Sequence, residues 1–151
     1  MEQGHALPSP EILPALDALG LDFLCEFLEV EVERHPGNLV ALGELGQLYT
    51  KAARYEKGLA VDRKLVALRP DDATTHYNLA CSLALLGESE EALDELDRAV
   101  ALGYEDLEHL LADEDLESLR GTARFRAIAL ALGPAEGLPE TPSEGSTETP
   151  G

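Results

Sequence analysis

Three groupings in this chain hold side chains able to act on protons, metals or thiols. His109 and Asp113 stand four residues apart, about one helical turn, and could share a face as ligands or as an imidazole–carboxylate pair. No third donor lies near them in sequence, and Asp113 serves better as the cap of a following turn. His76 and Cys81 are five apart, which is about 140° around a helix, so they do not face each other as a nucleophile and its base. Cys25 and Cys81 fit no metal or redox spacing and read as small buried apolar residues in a reducing, cytoplasmic setting. His5 and His35 fall in the head of the chain and in a turn, where solvation is expected.

The many carboxylates would permit a paired acid–base site only where burial separates their pKa values. Here they fall on polar stripes and in turns. The sequence has no glycine-rich phosphate loop, no Gly-x-Ser-x-Gly and no His-Glu-x-x-His. No catalytic residue, metal ligand or cofactor is implied, and the chain is expected not to be an enzyme.

Composition narrows the remaining classes. The 151 residues include 30 acidic and 11 basic ones, a formal net charge of −19. Clustered bases for a phosphate backbone are missing, which disfavours nucleic acid, and the same charge disfavours anionic membranes. No apolar run approaches the roughly 20 residues of a spanning helix, and residues 1–10 lack the basic start and apolar stretch of a secretory signal. Trp is absent and Phe and Tyr total seven, so the core must come from Leu, Ala and Val, which favours helices.

The elements that would position any site repeat. Pro36, Pro70 and Tyr104 each close a helical pattern and are spaced by 34 and 34. At the same offset Leu45-Gly46 matches Leu79-Ala80, Leu59 matches Leu93, and Val32, Val66 and Val100 align. The pattern predicts helices over about 39–51, 55–68, 73–86 and 90–102, capped by Asn38, by Asp71 or Asp72, and by Ser89, with Gly87 as a break. Upstream, 21–34 reads as a helix and 11–19, with Pro14, as a weak one. Downstream, Leu116, Leu119, Phe125, Ile128 and Leu132 suit two short helices capped by Asp113 and Thr122, which would cover the apolar end of the array. Residues 1–10 and 133–151 are expected to be a disordered head and a disordered acidic tail.

A 34-residue helix–turn–helix period with Leu45-Gly46, Tyr49 and Pro70 resembles the tetratricopeptide repeat (TPR). The likeness is good for 39–72 and 73–106 and poor for 5–38. His76 replaces a large aromatic residue, Asp62 an apolar one late in the second helix, and Tyr104 the closing proline. Residues 77–81, Gly103, Asp113-Glu114-Asp115-Leu116, Leu119-Arg120 and Arg124-Phe125 resemble the module that often ends bacterial TPR chains. The resemblance implies an all-α fold: a short right-handed helix-turn-helix solenoid of about three repeats, the first degenerate. With its capping helix pair over 107–132, the domain would span 11–132.

It also implies a concave groove lined by the first helix of each repeat. Gly43, Gln47, Thr50, Thr74, Tyr77, Asn78 and Cys81 would face a bound polypeptide, with Asn78 able to pair with a peptide backbone through both ends of its amide. TPR domains that hold the acidic tails of heat-shock chaperones use Lys, Asn and Arg in the groove, and here only Asn78 matches. Residues 1–38 hold eight acids and one base, 39–72 five acids and six bases, and 73–106 eight acids and one base. Glu88, Glu90, Glu91, Asp94, Glu95 and Asp97 would form a solvated outer face, or rims that bias the groove toward basic segments. The expected role is a non-enzymatic adaptor that binds a protein or peptide partner. The alternative is a self-associating or obligate subunit of a larger complex, with Leu83, Leu85 and Leu86 partly at the interface.

Overall fold

The computed structural model describes residues 12–133, which form seven α-helices and one 3-10 helix, with no strand among them. In order these are α1 (Ile12–Arg34), α2 (Leu39–Lys51), α3 (Tyr55–Leu68), α4 (Ala73–Leu85), α5 (Ser89–Ala101), α6 (Leu107–Ala112), the 3-10 helix Glu114–Leu119, and α7 (Ala123–Leu132). The head 1–10 and nearly all of the expected tail lie outside the described residues. From α1 to α5 each helix packs on its neighbours in sequence, joined by short turns that reverse the chain, so these five build a solenoid-like array, and the later elements fold back on α4 and α5.

The local reasons are visible in the caps. The Asn38 side chain accepts the Ala41 N–H at 3.1 Å, and Asp72 accepts those of Thr74 and Thr75 at 2.8 and 3.2 Å. Asp113 accepts the Asp115 N–H and Thr122 the Phe125 N–H, starting the 3-10 helix and α7. Ser89 does not cap α5: Glu88 holds that position without a side-chain bond, and Ser89 is the first helical residue. Glu90 and Glu91 instead place negative charge in the first turn, where the helix dipole favours it. The turns after α2 and α4 contain left-handed residues 34 apart, Ala53 (φ +55°) and Gly87 (φ +80°). The period therefore holds in the backbone as well as in the side chains. Ala53 takes on strain of about 1 kcal/mol that a glycine would avoid.

One stretch differs from its sequence pattern. Residues 12–34 form a single continuous helix, where the pattern predicts a weak segment before 20 and a separate helix after it. Pro14 falls in the first turn, where amide donors have no helical partner anyway, so it does not break the helix. Gly20 is exposed, with open space around it, and weakens the helix without ending it.

Two apolar cores result. The smaller joins α1, α2 and α3 through Cys25, Leu42, Leu45, Tyr49, Val61 and Leu65. The larger surrounds α4, buried by α3, α5 and the closing module, and includes Leu79, Ala80, Leu83, Leu93, Leu96, Leu110, Leu116, Leu119, Phe125 and Ile128. Leu116, Leu119, Phe125 and Ile128 thus act as the expected cover, with α6 as a further piece. Leu83 is fully buried within this core, so it is not available to an interface. His76 is also buried, its ring bridging the Pro70 carbonyl at 2.8 Å and the Glu95 carboxylate at 2.5 Å. It thereby ties α4 to the preceding turn and to α5, which compensates for the aromatic residue absent there.

The acidic face of α5 is exposed but more fully paired with bases than its composition suggests. Arg124 of α7 reaches Asp94 at 2.5 Å, Asp97 at 2.7 Å and Glu90 at 3.5 Å, and Arg63 of α3 reaches Glu91 at 2.8 Å. Carboxylates at 90, 94 and 97 share one helix face, so a single guanidinium serves all three.

Candidate functional site

A cleft of about 310 Å³ opens between α2, α3, α4 and the closing module. Gly43, Gln47 and Thr50 line it from α2, and Tyr77, Asn78 and Cys81 from α4. Six of the seven residues expected in the groove therefore share one concavity. Thr74 stands outside this lining, in the first turn of α4.

The six do not play equal parts. Asn78 and Gln47 are exposed and free to meet a ligand, whereas Thr50 donates its hydroxyl to the Gly46 carbonyl at 3.2 Å. Tyr77 is buried, stacks on Tyr104 with ring centroids 4.5 Å apart, and donates its hydroxyl to Asp113 at 2.7 Å. It is a packing residue that seats the closing module on α4. Burial, the Asp113 acceptor and nearby negative charge all push its phenol up, so it stays protonated. Cys81 is buried beside it. Burial first and the charge of Asp113 second push the thiol well above its ordinary range, so it is not a thiolate nucleophile at neutral pH.

The cleft has a far wall that the 34-residue pattern gives no hint of, and a floor at a residue that departs from that pattern. His109, Asp113 and Asp115 approach from the closing module, more than 20 residues beyond α4. Ligand atoms of Cys81, Asp113 and Asp115 lie within 4.8 Å of one another, and His109 Nε2 is 3.5 Å from Asp113 Oδ2. Folding thus gathers Cys81 and Asp115 around Asp113, while His109 meets Asp113 from outside that trio. One Asp113 oxygen accepts from Tyr77 and, weakly, from Cys81 at 3.7 Å, while the other caps the 3-10 helix. A metal there would displace bonds that now hold the module in place. Burial, then the charges of Asp113 and Glu114, raises the Asp115 pKa.

Asp62 forms the floor. It is 7% exposed, and one oxygen accepts the Ser82 hydroxyl across the α3–α4 contact at 2.5 Å. The other would lie 3.3 Å from a Cβ added at Gly46, so a side chain on Gly46 would press on the carboxylate. No cation pairs with Asp62 among the described residues. Burial pushes its carboxyl up to about 6, against a smaller downward pull from Ser82. The signal in the sequence was a departure: an aspartate at a repeat position that calls for an apolar residue.

Electrostatically the cleft sets Asp62, Asp113 and Asp115 against Lys51, with His109 at its edge. It offers backbone-like hydrogen bonding at Asn78 and Gln47 above an acidic floor. Fold and cleft together define the class: an all-helical array of sequential helix pairs, closed at one end by a module that also walls its groove. No family model matches the chain. A curated chloroplastic protein of Arabidopsis thaliana is 30% identical over 83 residues, which make up 53% of this chain and 25% of that protein. The likeness covers about a quarter of the relative's length.

Proposed function

We propose that this chain is a non-enzymatic adaptor of the TPR type that holds an extended segment of a partner protein in the cleft between α2 and α4. The carrying observation is the convergence of Gly43, Gln47, Thr50, Asn78 and Cys81 on a single concavity of about 310 Å³. Asn78 is exposed within it, on a helix otherwise buried on several sides. Its amide can donate to a peptide carbonyl and accept from a peptide N–H. The acids at 62, 113 and 115 favour a segment carrying Lys or Arg, which supports a basic partner. The compartment we propose is the cytoplasm, where two buried free cysteines such as Cys25 and Cys81 stay reduced. Among the described residues no helix is long and apolar enough to cross a membrane.

The test is direct. A partner recovered by affinity capture with the full chain is titrated by calorimetry against the natural protein and Asn78→Ala. The variant is expected to bind about 1–2 kcal/mol more weakly, the size of one well-placed hydrogen bond, with an unchanged melting curve. Binding should also weaken with salt. Equal affinity of the two proteins would remove the groove assignment.

A further inference from the structure

We propose that the outward face of α1 is a second docking surface, shaped for an amphipathic helix of a partner protein that is apolar on one side and flanked by Lys or Arg. This surface is separate from the cleft and goes beyond the adaptor reading. α1 is apolar on two opposite sides. Its inner side sends Cys25, Leu28 and Val32 into the smaller core. Its outer side leaves Leu19, Phe23 and Phe27 about two-thirds exposed (65%, 67% and 63%) and Val30 at 46%. Spacings of four, four and three place these four on one line, a strip of about three turns. A helix that is apolar on both sides is ordinarily buried on both. Two bulky phenylalanines left in water on one line mark a surface that something covers.

Charge selects the occupant. Glu26 and Glu33 lie seven residues apart along one edge of the strip, both exposed and both without a partner among the described residues. Other carboxylates of α1 are engaged: Asp22 with Arg54, Glu29 with Tyr49 and Lys57, and Glu31 with His35 and Asn38. Asp17 lies toward the other flank, in a hollow it shares with Lys51. The single base of the helix, Arg34, is its last residue. A second copy of the strip would bring the same unpaired acids to the contact, and an anionic lipid surface would be repelled by them. A helix with basic flanks meets both the apolar line and the free carboxylates.

The probes are two labelled helical peptides of about five turns, with identical leucine faces and flanks of either Lys or Glu. Each is titrated into the full chain by fluorescence anisotropy at about 50 mM and about 500 mM salt. The Lys peptide is expected to bind at least about tenfold more tightly, with a difference that shrinks at high salt. Phe23→Ser/Phe27→Ser should abolish binding with unchanged circular dichroism, since both rings are exposed. Glu26→Lys/Glu33→Lys should turn the preference toward the Glu peptide, and Asn78→Ala should leave both affinities as they are, which separates this surface from the cleft. Equal binding of the two peptides, binding of neither, or binding that survives the double serine variant overturns the proposal. So does a dimer in sedimentation that the serine variant dissolves, which would assign the strip to a second copy.

Discussion

Phe125→Ala is expected to destabilise the fold by about 3–5 kcal/mol, a large share of the roughly 5–15 kcal/mol that holds a typical domain together. The ring is 1% exposed and lies in the larger core with Leu110, Leu116 and Leu119, all fully buried. These four come from the three short elements of the closing module, none longer than ten residues. Such short helices do not stand alone in water and depend on packing. Truncating the ring opens a cavity where they meet, so the module should loosen from α4 and α5 together. Urea unfolding followed by circular dichroism measures the loss. A loss below about 1 kcal/mol would mean that the module is not part of the cooperative fold.

Asp62→Asn is expected to act in the opposite direction. Burial raises the Asp62 carboxyl from 3.8 to about 6, so the folded chain binds a proton more tightly than the unfolded chain does. A raised pKa contributes stability that is complete below the unfolded value and is lost as pH climbs through the folded one. The natural protein should therefore lose about 2–3 kcal/mol between about pH 4 and pH 6 from this residue alone. Asn keeps the shape and the hydrogen bond with Ser82 but carries no charge to desolvate. The difference in stability between variant and natural protein should grow across that window and reach about 2–3 kcal/mol in favour of the variant at pH 7. Comparing the two proteins at each pH cancels the other titrating groups. A variant that is less stable at pH 7, or a difference that ignores pH, would mean that Asp62 is paired or solvated in solution.

A buried, unneutralised carboxylate at the floor of a cleft is the kind of local conflict that stability alone would have removed. Its place in the same cleft as Asn78 fits a site in which function, not packing, set the residue.

The helices from 39 to 101 were legible because independent signals agree there. Apolar positions recur at the helical period, Asn38 and Asp72 cap where expected, and the 34-residue offset repeats even at the left-handed Ala53 and Gly87. The groove residues came from the TPR resemblance, not from the period alone; six of the seven line one cleft, and Thr74 does not. The far wall was not legible. Asp113 meets Tyr77 across 36 residues and Cys81 across 32, and no period relates the closing module to the helix it touches. The start of α1 was not legible either, because Pro14 reads as a breaker until its position in the first turn is known. Arg124 shows the limit of reading charge as composition. One base gathers three acids through geometry that a count does not contain.

The two cysteines give the molecule a pair of internal clocks. Cys25 is sealed in the smaller core and Cys81 borders the larger one, each free and each nearly hidden from solvent. A thiol reagent can reach Cys25 only when the surrounding helices part, whereas Cys81 lines the cleft. The labelling rate of Cys25 therefore reports how often the α1 end of the array opens, and that of Cys81 how well an occupied cleft is shielded.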